Sequence, residues 1–291
     1  MEWTYSLVIA SVIFVVLLIL LVNLFAGSMR DAIIFRPTHS YLSNTTRDHI
    51  DRWVGDVMTR WFDNKSDTVM LYLHGNNGNI SDRGYVEDFA EISQVNLVLM
   101  DYRGYGMSRG APSVQNMRED TDAVMKVIQE TYADKNIVVM SESLGSIAAS
   151  YIAANYNIRG IIILSGISSF GDMASEFGRV VRTILGYLIL DMGPVLTNKE
   201  LLSCAKSPVL IVHSPDDEIV TFKCAKENLA ACAGSRLITI GGGHATPIIS
   251  QQQLKDMIDF AGIKVDVRKY DNWREKMRTI GHILSFYVID M

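Results

Sequence analysis

The residues best suited to do chemistry lie in four short segments, each directly after an apolar run. The first is Val138-Val139-Met140-Ser141-Glu142-Ser143-Leu144-Gly145, followed by the small-residue stretch Ser146–Ala154. A strand running into a small-x-Ser-x-Gly turn and on into a helix is the setting of a nucleophile elbow, whose strained turn exposes the serine hydroxyl. Small flanking residues let helix and strand pack closely, and the helix N-terminus points its amides at developing negative charge. Ser143 is therefore the candidate nucleophile. Ser141 stands where the motif usually has its first glycine.

A nucleophilic serine needs a base, an acid to orient that base, and donors for the oxyanion of the tetrahedral intermediate. The segment Val212-His213-Ser214-Pro215-Asp216-Asp217-Glu218 offers the acid. Asp217 is the candidate, while Asp216 and Glu218 fit a solvated turn. The segment Ile240-Gly241-Gly242-Gly243-His244 offers the base. Of the six histidines, only His244 follows both serine and acid in such a loop. No lysine of a phosphate-binding loop follows these glycines. The donors come from the loop Leu71-Tyr72-Leu73-His74-Gly75-Asn76-Asn77-Gly78-Asn79 and from the turn after the serine. In that layout they are the backbone amides of Asn76 and Leu144, and His74 is a structural loop residue.

Six apolar runs must carry these loops: Val69–Leu73, Asn96–Met100, Ile137–Met140, Ile161–Leu164, Val209–Val212 and Leu237–Ile240. They are short, rich in branched residues and lack two-residue alternation, as strands buried on both faces do. Segments with helical spacing lie between them: Ser113–Ala133, Gly145–Tyr156, Lys223–Ala233 and Ser250–Phe260. Alternating strands and helices predict an α/β fold with a mostly parallel, doubly wound sheet and helices on both faces. Two regions leave this rhythm. Phe170–Leu202 reads as a small cap-like insertion. Ile263–Met291 carries an apolar stripe (Trp273, Met277, Ile280, Leu284, Tyr287) expected to pack back on the body, with a membrane surface as the alternative.

The chain ahead of the first strand has a different character. Tyr5–Ala26 contains no charged residue, and its length suits a hydrocarbon core of roughly 30 Å. The segment before it is not basic and the apolar run is long for a secretory signal, so an uncleaved single-pass anchor is expected. Arg30 and Arg36 follow the run and no basic residue precedes it, which puts the body on the cytoplasmic side. The expected division is thus an anchor at 1–29, a catalytic body at 30–262 with the insertion at 170–202, and an extension at 263–291. Three glycosylation-type sequons, at Asn44, Asn64 and Asn79, are about what chance supplies.

Composition excludes other classes. The chain has 291 residues, 48% hydrophobic and 20% charged, which rules out a disordered or collagen-like polymer. A net charge of −5 gives no general electrostatic reason to bind nucleic acid. Cys204, Cys224 and Cys232 lack paired spacing, so free thiols are expected rather than a disulfide framework or a metal site.

Four segments together resemble the α/β-hydrolase superfamily, and within it the membrane-anchored serine hydrolases of the BEM46-like group. These are LHGNNGN (Leu73–Asn79), DYRGYGMSRGAPS (Asp101–Ser113), SESLGS (Ser141–Ser146) and HSPDDEIV (His213–Val220), with IIFRPTHSYL (Ile33–Leu42) near the anchor. Chain order Ser143, Asp217, His244 is that superfamily's order. The resemblance implies the fold, the Ser143–Asp217–His244 triad and the Asn76 and Leu144 oxyanion donors. Such a triad calls for no metal or organic cofactor and cleaves a small-molecule or lipid ester or thioester, with a peptidase left open; the anchor beside a bilayer and the apolar Phe170–Leu202 insertion point to lipid-like or acyl-chain substrates. Ser141 and Ser214 depart from the glycines usual there. Relatives that cleave palmitoyl thioesters carry an N-terminal cysteine cluster, which this chain lacks. Those departures and the extra tail motivate one rival expectation, a membrane-bound hydrolase-fold scaffold without catalysis, in which His244 does not reach Ser143.

Overall fold

Short runs of branched apolar residues become strands where both of their faces find cover, and here they do. The computed structural model describes residues 9–18, 20–21, 31–32, 34–41, 45, 47–169 and 197–263. An eight-stranded sheet holds β1 (Ile50–Val54), β2 (Val57–Phe62), β3 (Thr68–Leu73), β4 (Asn96–Met100), β5 (Asn136–Glu142), β6 (Gly160–Leu164), β7 (Val209–His213) and β8 (Arg236–Thr239). Their order is β1-β2-β4-β3-β5-β6-β7-β8. β1 and β2 form an antiparallel pair, β2 lies antiparallel to β4, and β3 to β8 are parallel.

The helices are α1 (Gly84–Ser93), α2 (Val114–Thr131), α3 (Ser146–Asn155), α4 (Asn198–Ser203), α5 (Phe222–Ala231) and α6 (Gln251–Phe260). They sit on the two faces of the sheet, as parallel crossovers demand. One core gathers Leu71, Val139, Ile161 and Ile211 from the sheet with Val124 and Ile128 of α2, Ile147 and Ile152 of α3, and Cys224 and Ala225 of α5. The other gathers Met70, Tyr72, Val138 and Ile162 with Phe89 of α1 and Leu254 and Met257 of α6. Ser113 caps α2 by accepting from the Asn116 amide, and Ser250 caps α6 in a capping box with Gln253.

The six expected strands are all present with ends shifted by up to two residues. The last departs in character: β8 is partly exposed along its length rather than buried on both faces, because it closes the sheet's edge. β1, β2 and α1 were not anticipated. β1 exposes its first two residues, and β2 interrupts its apolar residues with Thr59 and Arg60. Arg60 is buried against Asp51, 2.8 Å away, so the polar letter hid a core position. Cys224 and Cys232 are free and buried as expected, whereas Cys204 is free but exposed.

Residues 9–18 and 20–21 are helical, and Ile9, Val12, Phe14, Leu17 and Leu21 stand exposed on them. Among the described residues no helix is long and apolar enough to cross a membrane. The rest of the expected span over Tyr5–Ala26, residues 170–196 of the insertion, the stripe from Trp273 to Tyr287 and Asn44 lie outside the described residues. The other two sequons have other duties: the Asn64 amide donates to Val95 O at 2.7 Å, and the buried Asn79 amide donates to Thr38 O and Ser40 O.

Candidate active site

Parallel strands in register deliver their carboxyl ends to one edge, and every candidate residue leaves from there. Leu73 of β3 lies opposite Ser141 of β5, Glu142 opposite Leu164 of β6, and His213 of β7 opposite Thr239 of β8. β5 passes directly into a short 3-10 turn, Ser143–Gly145, and then into α3. Ser143 has φ +46°, a left-handed conformation that costs a non-glycine residue about 1–3 kcal/mol. The turn stays tight because Gly145 has no side chain: a Cβ there would stand 2.3 Å from Leu73 O. Ser141, the departure from glycine, lies fully buried within β5, and its hydroxyl points to Ile162 O at 3.4 Å. The elbow forms without that glycine.

The acid and the base come from the next two loops. Asp217 Oδ1 accepts from the amides of Val220 (2.7 Å) and Ile219 (3.0 Å), which fix the carboxylate within its own turn. His244 sits between the two strands of a small hairpin, β9 (Gly241–Gly242) and β10 (Pro247–Ile248). Its Nδ1 lies 2.8 Å from Asp217 Oδ2, and its Nε2 lies 3.1 Å from Ser143 Oγ. The His244 amide donates to Glu218 Oε2 at 3.0 Å, so Glu218, exposed as expected of a solvated turn, also holds the histidine loop. Ser214, the second departure from glycine, donates its hydroxyl to Gly242 O and ties the acid loop to the histidine loop. Burial works against the Asp217 charge, yet hydrogen bonding with His213 and His244, the charge of His244 and the Val220 amide outweigh it and hold the carboxyl well below the usual range.

Asn76 lines the same pocket as Ser143, and Leu144 follows the serine within the 3-10 turn. The Asn76 loop is held from two segments: the Arg36 amide donates to Asn76 Oδ1 at 2.8 Å, and Tyr105 OH, after β4, donates to Asn76 O at 3.0 Å. His74 is fully buried against Tyr102 and Tyr105, the structural role expected of it. A pocket of about 450 Å³ opens over Ser143 and His244. Its lining combines apolar residues (Leu164, Ile219, Ile240, Ala245, Pro247, Ile249) with polar ones (Thr38, Asn76, Asn77, Asp82, Arg83, Glu142). Ser165, at the end of β6, lines it too and shares the left-handed φ of +46°.

Sequence reasoning passed over Glu142, although it lies inside the elbow motif. Burial opposes its charge, but Arg83, the hydroxyls of Tyr72 and Tyr85, and the Gly75 amide hold its pKa down at about 2. A carboxyl group lowered on folding adds stability that is present above its unfolded pKa, about 4.3, and lost as pH falls toward the folded value. Denaturant titrations at successive pH values are therefore expected to show stability falling from about pH 4.3 toward 2, and a shallower fall in Glu142→Gln. An equal slope in both proteins would refute that assignment. A charged residue set between an apolar strand and a small-residue helix was the available signal, because such a charge needs a partner.

Residues 64–204 match the family described as serine aminopeptidase, S33. The chain is 28% identical over 199 residues to the lysophosphatidylserine lipase ABHD12 of Danio rerio, covering 63% of this chain and 51% of that protein. It is 29% identical over 200 residues to the alpha/beta hydrolase domain-containing protein 17B of Xenopus laevis, covering 66% of this chain and 65% of the relative. The chain thus spans between half and two thirds of the length of these relatives. Among solved structures, the Pyrococcus furiosus esterase Pf2001 superposes with a TM-score of 0.63 at 16% identity, over 79% of this chain and 97% of that one. A serine hydrolase homologue from Coxiella burnetii gives 0.54 at 16% identity, over 76% and 98%.

Proposed function

We infer that this chain is a serine hydrolase of the α/β-hydrolase superfamily that cleaves carboxylic ester or thioester bonds of lipid-like or acyl-chain substrates. The observation that carries the reading is the unbroken line from Ser143 Oγ through the His244 ring to Asp217, at 3.1 and 2.8 Å. Ser143 attacks the carbonyl while His244 Nε2 takes its proton. The amides of Asn76 and Leu144 receive the negative charge that develops on the carbonyl oxygen. His244 then returns the proton to the leaving alcohol or thiol, and Asp217 steadies the imidazolium throughout. Water, deprotonated by the same histidine, attacks the acyl-enzyme and releases the acid. Every step is proton transfer and acyl transfer, so the scheme calls on no metal or organic cofactor. The non-catalytic alternative required an imidazole out of reach, and the 3.1 Å separation speaks against it.

The apolar lining residues Leu164, Ile219, Ile240 and Ile249 support an acyl chain as the group accommodated. The chain before β1 supports a bilayer source. Thr38 lines the pocket, and residues 36–40 bind the Asn76 and Asn79 loops, so the segment that follows the proposed anchor over Tyr5–Ala26 reaches the pocket mouth. In this reading the body faces the cytoplasm, on the side marked by Arg30 and Arg36, and the Phe170–Leu202 insertion adds to the acyl site. Turnover of p-nitrophenyl esters from acetate to dodecanoate is expected to rise with chain length beyond butyrate. A preference for acetate over octanoate would contradict the acyl-chain assignment.

A further inference from the structure

Two arms, far apart in sequence, must hold the oxyanion donors at one distance from Ser143. The Leu144 arm is built into the elbow. The Asn76 arm is a loop after β3 and needs a tie to it. Glu142 immediately precedes Ser143, and its Oε1 accepts from the Gly75 amide at 3.0 Å, one residue before Asn76. The approach is close: a Cβ on Gly75 would lie 3.2 Å from that oxygen and 3.4 Å from Ser143 Cβ. Arg83 adds a second tie, donating through Nη2 to Glu142 Oε1 at 2.8 Å and to Asn77 O at 2.7 Å. The other oxygen, Oε2, accepts from Tyr72 OH at 2.6 Å and from Tyr85 OH. Each carboxylate oxygen therefore meets two donors, which suits a fixed brace better than a ligand for a substrate cation.

We propose that Glu142 is a positioning residue that clamps the Asn76 arm to the Leu144 arm and so sets the geometry of the oxyanion site. The clamp rests on the serine hydrolase reading above. It acts through the loop, on an interaction that matters most when the oxyanion forms. Its loss therefore shows in kcat rather than KM.

Two conservative variants separate reach from charge. Glu142→Gln keeps an oxygen at the Gly75 amide and a side chain of equal length but removes the charge. Glu142→Asp keeps the charge beside Arg83 but withdraws it by one methylene from the Gly75 amide. With the full chain and the best p-nitrophenyl ester, Asp is expected to lower kcat by about 10–100-fold at nearly unchanged KM, while Gln stays within about fivefold of the wild type, since a lost oxyanion donor sets the upper bound. Circular dichroism and thermal midpoints confirm that both variants are folded. The reverse order, Asp active and Gln impaired, would assign Glu142 to a charge pair alone and overturn the clamp, as would wild-type kcat in both or a loss in Asp that appears in KM. A wild type that neither turns over esters nor reacts with a fluorophosphonate would instead overturn the hydrolase reading itself, and the clamp with it.

Discussion

Replacing Ser143 by alanine is expected to reduce kcat on any accepted ester by about five to six orders of magnitude, the scale seen when a triad nucleophile is removed. The substitution takes away the only atom in the line that can form the acyl bond, while His244 and Asp217 keep their 2.8 Å contact. The fold has little reason to suffer. Alanine removes one hydroxyl from the rim of a pocket, and it meets the same φ of +46° that serine already bears. The thermal midpoint of the variant is therefore expected to stay close to that of the parent. A variant with a tenth of the parental kcat would mean that another group performs the attack.

Asp217→Asn carries the second largest expected effect, a loss of about 10⁴-fold in kcat with the fold retained. The reason lies in how the carboxylate is held. Oδ1 accepts from the Ile219 and Val220 amides, so the amide oxygen of an asparagine must take that place. Its nitrogen then replaces Oδ2, 2.8 Å from His244 Nδ1, and offers a proton where the aspartate accepted one. The ring answers by carrying its own proton on Nε2, toward Ser143, and the base is lost. Steady-state kinetics on the purified variant measure the effect. A fall of less than about tenfold would show that the acid does not set the tautomer.

How far the sequence alone reaches depends on the length scale of each signal. SESLGS, the Asp217 turn and the His244 loop were legible because each is a local pattern at the end of an apolar run, and parallel register brings such ends together. β1 and β2 were not legible, since an edge hairpin owes its stability to a partner distant in sequence and tolerates polar letters such as Arg60. α1 was missed because its apolar residues sit within a loop-rich stretch. Ser141 looked like a defect of the elbow; with its hydroxyl turned to Ile162 O the strand simply absorbs it. Glu142 was visible but mute, because its meaning lies in Arg83, Tyr72, Tyr85 and the Gly75 amide, none of which is its neighbour in sequence. Glu218 is solvated as its turn suggests, but its bond to the His244 amide was not legible, because only the fold brings that amide to it.

The most direct test of the central claim is to treat the folded protein with a fluorophosphonate and map the adduct by peptide mass spectrometry. The line from Asp217 through His244 to Ser143 predicts one adduct per chain, on Ser143, and none on the Ser143→Ala variant. A well-folded protein that stays unlabelled, or one modified at a different serine, would contradict the account.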